Sequence, residues 1–284
     1  MKAHLEVEES KVIEVFANAN AHRLAAGIVK RHSTNPQDIR LLALKKLDLT
    51  LFRNILDLGC GFGFFTEALK GRVHAEARVT GIDIVREYEP LYLETCRRAG
   101  LKGSFQAMGV SSLKKHPQRS FDFVLCSYAL YFFPEIIPDI ARILNEDGFF
   151  LTIAHRQKSM SELIAVIKQI LEEKQTPGRG RLPIEEIIGR FCSENGANLL
   201  TPWFKKIAAV EYPNSLVFHR EDIIALVDYF RFKGPFFLTG TGAEAETVSR
   251  LLSAHLEKRV ASRGPFTLSK DDTIFICSHP SEGK

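Results

Sequence analysis

The feature that most limits how this chain can fold is the run Asn54–Phe65, NILDLGCGFGFF. A short apolar stretch, Ile55-Leu56 and Leu58 interrupted by Asp57, gives way to glycines at alternate positions, Gly59, Gly61 and Gly63. Helical spacing resumes at Phe64 and continues to Lys70. A strand, a glycine turn and a helix start form a ligand-facing corner of an open α/β sheet, because glycine lets the backbone approach a ligand closely. Two nucleotide readings fail at single residues. No Gly-Lys-Ser/Thr opens the helix, so the run is not a P-loop. Phe64 stands three residues after Gly61, where a dinucleotide-binding turn needs a third glycine for close helix–strand packing. A tight turn that holds no ligand is the alternative.

Other segments carry further signals. Ala77–Ile82, ARVTGI, reads as a second strand closing on Asp83, and an acid at that place can accept from both ribose hydroxyls. Ser120–Ser127, SFDFVLCS, has the nearly continuous apolar character of a buried parallel strand. The Cys126–Tyr128 backbone lies at its carboxyl end, where ligands bind in such sheets. A helix over Glu135–Leu144 and a turn lead into a fifth strand, Phe149–Ala154.

Together, acidic-x-Gly-x-Gly-x-Gly from Asp57 to Gly63, the acid at Asp83, Phe121-Asp122-Phe123-Val124 and the phrase ILNEDGFFLTIA at 143–154 resemble the motif series of a known family. It is that of the class I (Rossmann-like, seven-stranded) S-adenosylmethionine-dependent methyltransferases, in domain types 11/25. The resemblance spans roughly residues 50–156. It implies an α/β fold with a doubly wound, mostly parallel seven-stranded sheet. It also implies S-adenosylmethionine as methyl donor, S-adenosylhomocysteine as product, and no metal. The cofactor-binding positions it implies are Asp57, Gly59, Cys60, Gly61 and Gly63 in the turn, then Asp83 and Ile84, Gly109 and Val110, and Cys126 and Ser127. Asp57 would meet the cationic amino group of the methionine end, Asp83 the ribose and Ile84 the adenine. The sequence departs from the family at Gly109, where many members place an aspartate on the adenine amino group. Only backbone groups are offered there, with Ser111 and Ser112 nearby. Asp122 is read as fixing the start of its strand, not as catalytic.

The chain has 284 residues, and its formal charge of +4 is spread in ones and twos, as at Lys45-Lys46, Lys114-Lys115 and Lys205-Lys206. That lacks the stripe of positive charge typical of nucleic-acid binders. The five cysteines are odd in number and far apart, which argues against a disulfide framework or zinc ribbon and fits a cytoplasmic setting. The start, MKAHLEVEESK, is polar and acidic, unlike a signal peptide, and no apolar run approaches the length of a membrane span.

Residues 10–31 read as one amphipathic helix, broken by Ser33-Thr34-Asn35-Pro36, with a second helix over Asp38–Leu47. Residues 1–49 are therefore expected to form a helical cap, either folded over the site or covering one sheet face. Residues 50–284 form the methyltransferase domain, with an insertion at about 157–205 that either binds the acceptor or merely connects strands. The insertion holds helices over Ser161–Glu173 and Ile184–Glu194, flanking a basic turn at 176–183. An irregular sixth strand over Ile207–Phe218, helices over Glu221–Tyr229 and Ala243–Lys258, and an antiparallel last strand over Thr273–Cys277 complete the sheet.

Methyl transfer from a sulfonium asks little of side chains, since the leaving group departs neutral. In-line approach and exclusion of water supply much of the rate, and a base is needed only if the acceptor must lose a proton. The absence of a triad is therefore uninformative. His155, Tyr128 and Tyr131 are the candidates for acceptor contact or catalysis; their competing roles are an orienting histidine and two core tyrosines. Asn18, Asn20, His22 and Arg23 become candidates for the cofactor carboxylate if the first helix folds over the site. Tyr229–Lys233, YFRFK, mixes aromatics with cations, as a single-strand stacking surface does, or packs at a helix end with its cations reaching for solvent. The reading favoured is methylation of a small-molecule acceptor. An RNA methyltransferase and a non-catalytic S-adenosylmethionine-binding protein are the alternatives. The Asn/Asp-Pro-Pro-aromatic motif used on amino groups of DNA bases is missing after the fourth strand, where Tyr128-Ala129-Leu130-Tyr131 stands. The acceptor and the oligomeric state are not written in these motifs.

Overall fold

The structure is a computed structural model that describes residues 9–174 and 180–281. Two helices, α1 (Glu9–Phe16) and α2 (Ala19–His32), open it, followed by α3 (Ile39–Leu44). The sheet begins with β1 (Asn54–Leu58) and β2 (Arg78–Asp83); α4 (Glu89–Ala99) then leads to β3 (Lys102–Ala107). After β4 (Phe121–Ser127) come α5 (Ile137–Ile143) and β5 (Leu144–His155). Three helices follow, α6 (Ser161–Glu173), α7 (Pro183–Arg190) and α8 (Gly196–Leu200), then β6 (Phe204–Tyr212) and β7 (Ser215–Phe218). The chain ends with α9 (Ile223–Leu238), α10 (Ala245–Arg263), β8 (Phe266–Ser269) and β9 (Asp272–Pro280).

Seven strands form one sheet in the order β3-β2-β1-β4-β5-β9-β6, parallel except for β9, which runs antiparallel to both neighbours. Strands β7 and β8 pair separately. Side chains alternate across the sheet. Leu56, Leu58, Val124 and Cys126 accordingly enter one apolar cluster, whereas Ile55, Phe123 and Leu125 enter the other. Strand order reverses between β1 and β4, so a crevice opens at their carboxyl ends. Asp122 has the structural role read from the sequence. Its Oδ2 accepts from the backbone N–H groups of Arg53 and Asn54 at 2.8 Å each, and its Oδ1 accepts from Asn145 at 2.7 Å. Among the described residues no helix is long and apolar enough to cross a membrane.

Several elements differ from the sequence expectation. The single helix over 10–31 is two, because Asn18 turns the chain and its side chain accepts from the Ala21 N–H, capping α2. The helix expected after the glycines is one 3-10 turn, Thr66–Leu69. The chain must reverse at Gly71, with φ +67°, to set Val73 beside Leu49, which leaves room for no more. The strand over 207–218 breaks at Pro213, which has no N–H to donate, and its second half becomes β7. The helix over 184–194 ends early at Arg190, and a separate short helix, α8, follows it. Of the basic turn, 176–179 lie outside the described residues.

The glycine turn depends on close packing. Gly63 has φ +82°, and a Cβ there would lie 2.9 Å from Thr95 Cγ2 and 3.3 Å from the Tyr92 ring. Gly63→Ala combines overpacking with a left-handed alanine, each worth roughly 1–2 kcal/mol. Urea denaturation should show a loss of about 2 kcal/mol or more at an unchanged slope; an unmoved midpoint would contradict this packing.

Candidate active site

The turn after β1 hangs from the end of β2. The N–H groups of Gly59 and Cys60 both donate to the Ile82 carbonyl, at 2.8 and 3.3 Å, and the Gly61 N–H donates to Asp83 Oδ2 at 2.8 Å. Asp83 Oδ1 accepts from the Val85 N–H at 2.9 Å. Both oxygens are thus oriented by backbone and each keeps lone-pair capacity toward the crevice. Burial pushes the Asp83 carboxyl upward, against three backbone hydrogen bonds that favour its charged form. Gly61, at φ +48°, faces the crevice, with His22 of α2 above it: a Cβ at Gly61 would lie 3.8 Å from the imidazole Cε1.

Beyond the turn lies a cavity of about 1370 Å³. Of the positions implied for a cofactor, Gly59, Cys60, Gly61, Asp83, Ile84, Gly109, Val110 and Ser127 line it. Asp57, Gly63 and Cys126 do not; they stand one layer behind. Asp57 is buried, accepts at Oδ2 from the Thr66 hydroxyl at 2.6 Å, and has no partner for Oδ1 among the described residues. Burial pushes its carboxyl up to about 7. At Gly109 a carboxylate from another element comes close. Glu9 of α1 lines the same cavity, and its Oε1 would lie 2.8 Å from a Cβ at 109. Ser112 is occupied, its hydroxyl donating to the Gly109 carbonyl.

The roof comes from α1, α2 and α9. His22 stacks on Phe232, with ring centroids 5.4 Å apart and planes 12° from parallel, and its Nδ1 is 2.7 Å from the Tyr88 hydroxyl. Burial, then the nearby Lys233 charge, lower it to about 4, so the ring is neutral. Arg23 also lines the cavity, whereas Asn18 is taken by capping and lies with Asn20 at a separate surface pocket.

The far end is a polar cluster. Antiparallel pairing of β5 with β9 sets His155 opposite Asp272. His155 Nδ1 lies 2.6 Å from Asp272 Oδ1, and the Tyr128 hydroxyl donates to Oδ2 at 2.7 Å. Lys270 Nζ is 2.9 Å from His155 Nδ1, 3.4 Å from its Nε2 and 3.9 Å from Asp272 Oδ1. Tyr131 stacks on His155 at 5.7 Å. Tyr128 holds φ +56°, an outlier for a residue with a Cβ, which its hydroxyl anchor on Asp272 supports. Burial would raise the Asp272 carboxyl, but Lys270, His155 and Tyr128 outweigh it and hold it below the usual range. Burial, reinforced by Lys270, lowers His155 to about 4. Lys233 of α9 also reaches this cavity, and burial pushes its ammonium down to about 7.

Asp272, Lys270 and Lys233 were not singled out as site residues in the sequence. The available signal was a polar Lys270-Asp271-Asp272 step before an apolar strand, but only the β5–β9 register brings it to His155. In the YFRFK stretch, Phe230 is buried in the core and Arg231 pairs outside with Asp228 and Glu246, so no stacking face forms. Lys233 turns inward and does not reach for solvent.

A doubly wound sheet with a glycine turn, an acid closing its second strand and a cavity at the switch point defines the Rossmann-like ligand-binding class. A family model described as a methyltransferase domain matches residues 55–148. The uncharacterized methyltransferase YcgJ of Bacillus subtilis is 26% identical over 117 residues, 40% of this chain and 45% of that one. Its solved structure superposes at a TM-score of 0.54 with 18% identity, covering 85% of this chain and 98% of that one. A ubiquinone biosynthesis O-methyltransferase of Neisseria meningitidis is 28% identical over 159 residues, 52% of this chain and 64% of that one. A Haemonchus contortus phospholethanolamine N-methyltransferase 2, solved with phosphomonomethylethanolamine and S-adenosylhomocysteine, shares the fold at TM-score 0.54 and 13% identity, over 95% of this chain and 59% of that one. The chain spans about half the length of the curated relatives it matches. Residues 55–148 thus match a methyltransferase domain, and the sheet that contains them is the Rossmann-like, seven-stranded sheet shared with the methyltransferase structures.

Asp57 gives a direct check on the turn. Its carboxyl is raised on folding, so the stability it contributes is complete below the unfolded value near 4 and is lost as pH climbs toward 7. Three units correspond to roughly 4 kcal/mol. Asp57→Asn removes that slope, so the stability difference between variant and wild type should move by a few kcal/mol in the variant's favour from pH 4 to pH 8 in denaturant titrations. Parallel profiles would contradict the buried, half-partnered carboxyl.

Proposed function

We propose that this chain transfers a methyl group from S-adenosylmethionine to a small-molecule acceptor. The observation that carries the reading is the single cavity that runs from Gly61 and Asp83 to the His155 cluster, roofed by α1, α2 and α9. One end fits the cofactor. Asp83 offers oriented carboxylate oxygens for the ribose, Ile84 an apolar face for the adenine, and the Gly61 backbone leaves the close approach open. The Glu9 carboxylate stands beside Gly109 and is assigned to the adenine amino group. Asp57 supports the turn from behind. Bound there, the cofactor supplies an electrophilic methyl group on a sulfonium.

The other end is read as the acceptor site. Asp272 holds His155 through Nδ1–H, which leaves Nε2 as the basic nitrogen, and the neutral imidazole is the form that can accept a proton. Tyr131 and Tyr128 flank the ring and keep their protons, since burial pushes both hydroxyls up. The helical roof excludes water, which favours transfer to the acceptor over hydrolysis. Within residues 1–49, α1 and α2 act as the cap in this reading. The O-methyltransferase relatives and the roofed cavity support a small acceptor.

Asp83→Ala should weaken S-adenosylhomocysteine binding at least tenfold by calorimetry, because oriented charged acceptors are lost. A matching melting curve will show that the variant is folded. An unchanged Kd would overturn this placement of the cofactor.

A further inference from the structure

At the His155 end of the cavity two ammonium groups share one carboxylate. Lys270 is buried in the turn between β8 and β9, and Lys233 enters from α9. The carboxylate is Asp272, and both its oxygens are engaged, Oδ1 by the His155 ring and Oδ2 by the Tyr128 hydroxyl. Lys270 stands 3.9 Å from Oδ1, beyond hydrogen-bond range. The nitrogen it approaches at 2.9 Å, His155 Nδ1, donates to Asp272 in the tautomer that the 2.6 Å contact favours, so Lys270 is left with the neutral Nε2 at 3.4 Å, an acceptor that carries no counter-charge. Lys233 makes no hydrogen bond to the described residues; its ammonium lies 5.9 Å from the Tyr229 ring centroid. With His155 neutral and both lysines protonated, two cations and one anion leave a net charge of +1 at this end of the cavity. A buried charge without a counter-charge is strongly disfavoured.

The apolar surroundings define the rest of the ligand. Phe16 of α1, Phe132 and Phe232 meet edge to face in the cavity lining, with centroids 5.6 to 6.2 Å apart. A molecule seated here would place an apolar or aromatic body against these rings and its charged end between the lysines.

We propose that the methyl acceptor is a monoanionic organic acid whose carboxylate binds between Lys233 and Lys270. A monoanion balances the residual +1, whereas a phosphate dianion would overshoot it. The inference rests on reading this end of the cavity as the acceptor site. It also gives Lys270 a second effect. Neutralised by the acid, it no longer opposes protonation of His155, so the base strengthens when the acceptor arrives. Without the acid, burial drives Lys233 toward its neutral form, the other way for the site to shed its excess charge.

The test uses the full chain and a panel of aryl and alkyl carboxylic acids, each paired with its neutral primary amide. Binding is measured by calorimetry with and without S-adenosylhomocysteine. At least one acid should bind tenfold or more tighter than its amide, and Lys233→Met and Lys270→Met should each abolish that preference. Lys233→Arg should keep most of it. Affinity for S-adenosylhomocysteine should stay within twofold in all three variants. Because Lys233→Met removes an unpaired charge, it should melt no lower than wild type, which guards against an unfolded variant. The proposal is overturned if no acid in the panel outbinds its amide, or if the preference survives both methionine substitutions. Failure of S-adenosylhomocysteine to bind would instead overturn the cofactor placement, since the acid–amide comparison can be read without it.

Discussion

The rest of the structure depends on the way a left-handed glycine turn is suspended from the end of β2. Three consecutive N–H groups, of Gly59, Cys60 and Gly61, are taken up by the Ile82 carbonyl and the Asp83 carboxylate. This fixes the turn beside the switch point between β1 and β4 and leaves Gly61 facing the cavity. It also explains the glycines. Gly59 and Gly63 have no room for a side chain, against Ala129 and Thr95, while Gly61 keeps the wall low beneath His22. Asp83 therefore has two tasks, holding the turn and presenting oxygens to a ligand.

Charged groups line the cavity throughout. Asp83 and Glu9 stand by the glycine turn, with Asp57 just behind, and Lys233 and Lys270 stand near Asp272. These groups come from unrelated parts of the chain: the acids from α1 and the first two strands, the lysines from α9 and the turn before β9. Their placement originates in the tertiary fold, which the local motif cannot specify.

That origin also explains what could be read in advance. The glycine turn, Asp83, the structural role of Asp122 and the parallel strands were legible, because each is a local pattern of apolar periodicity and turn chemistry. The break at Asn18 was not, since the apolar spacing continues through it and only the cap shows where the helix stops. His155 was visible as a histidine closing a strand, but its partner Asp272 lies 117 residues away and meets it only through an antiparallel register. Lys233 was misplaced for a related reason. Its neighbours on α9 are aromatic, and sequence does not say which of them face the core and which the cavity.

The central claim is that one cavity holds the methyl donor against the β2-anchored turn and faces its reactive end toward the His155 cluster. A crystal structure of the S-adenosylhomocysteine complex tests it most directly. The account predicts ribose hydroxyls within hydrogen-bond distance of Asp83 and the sulfur facing Tyr131 and His155. A ligand bound outside this cavity, or one whose ribose turns away from Asp83, would contradict it.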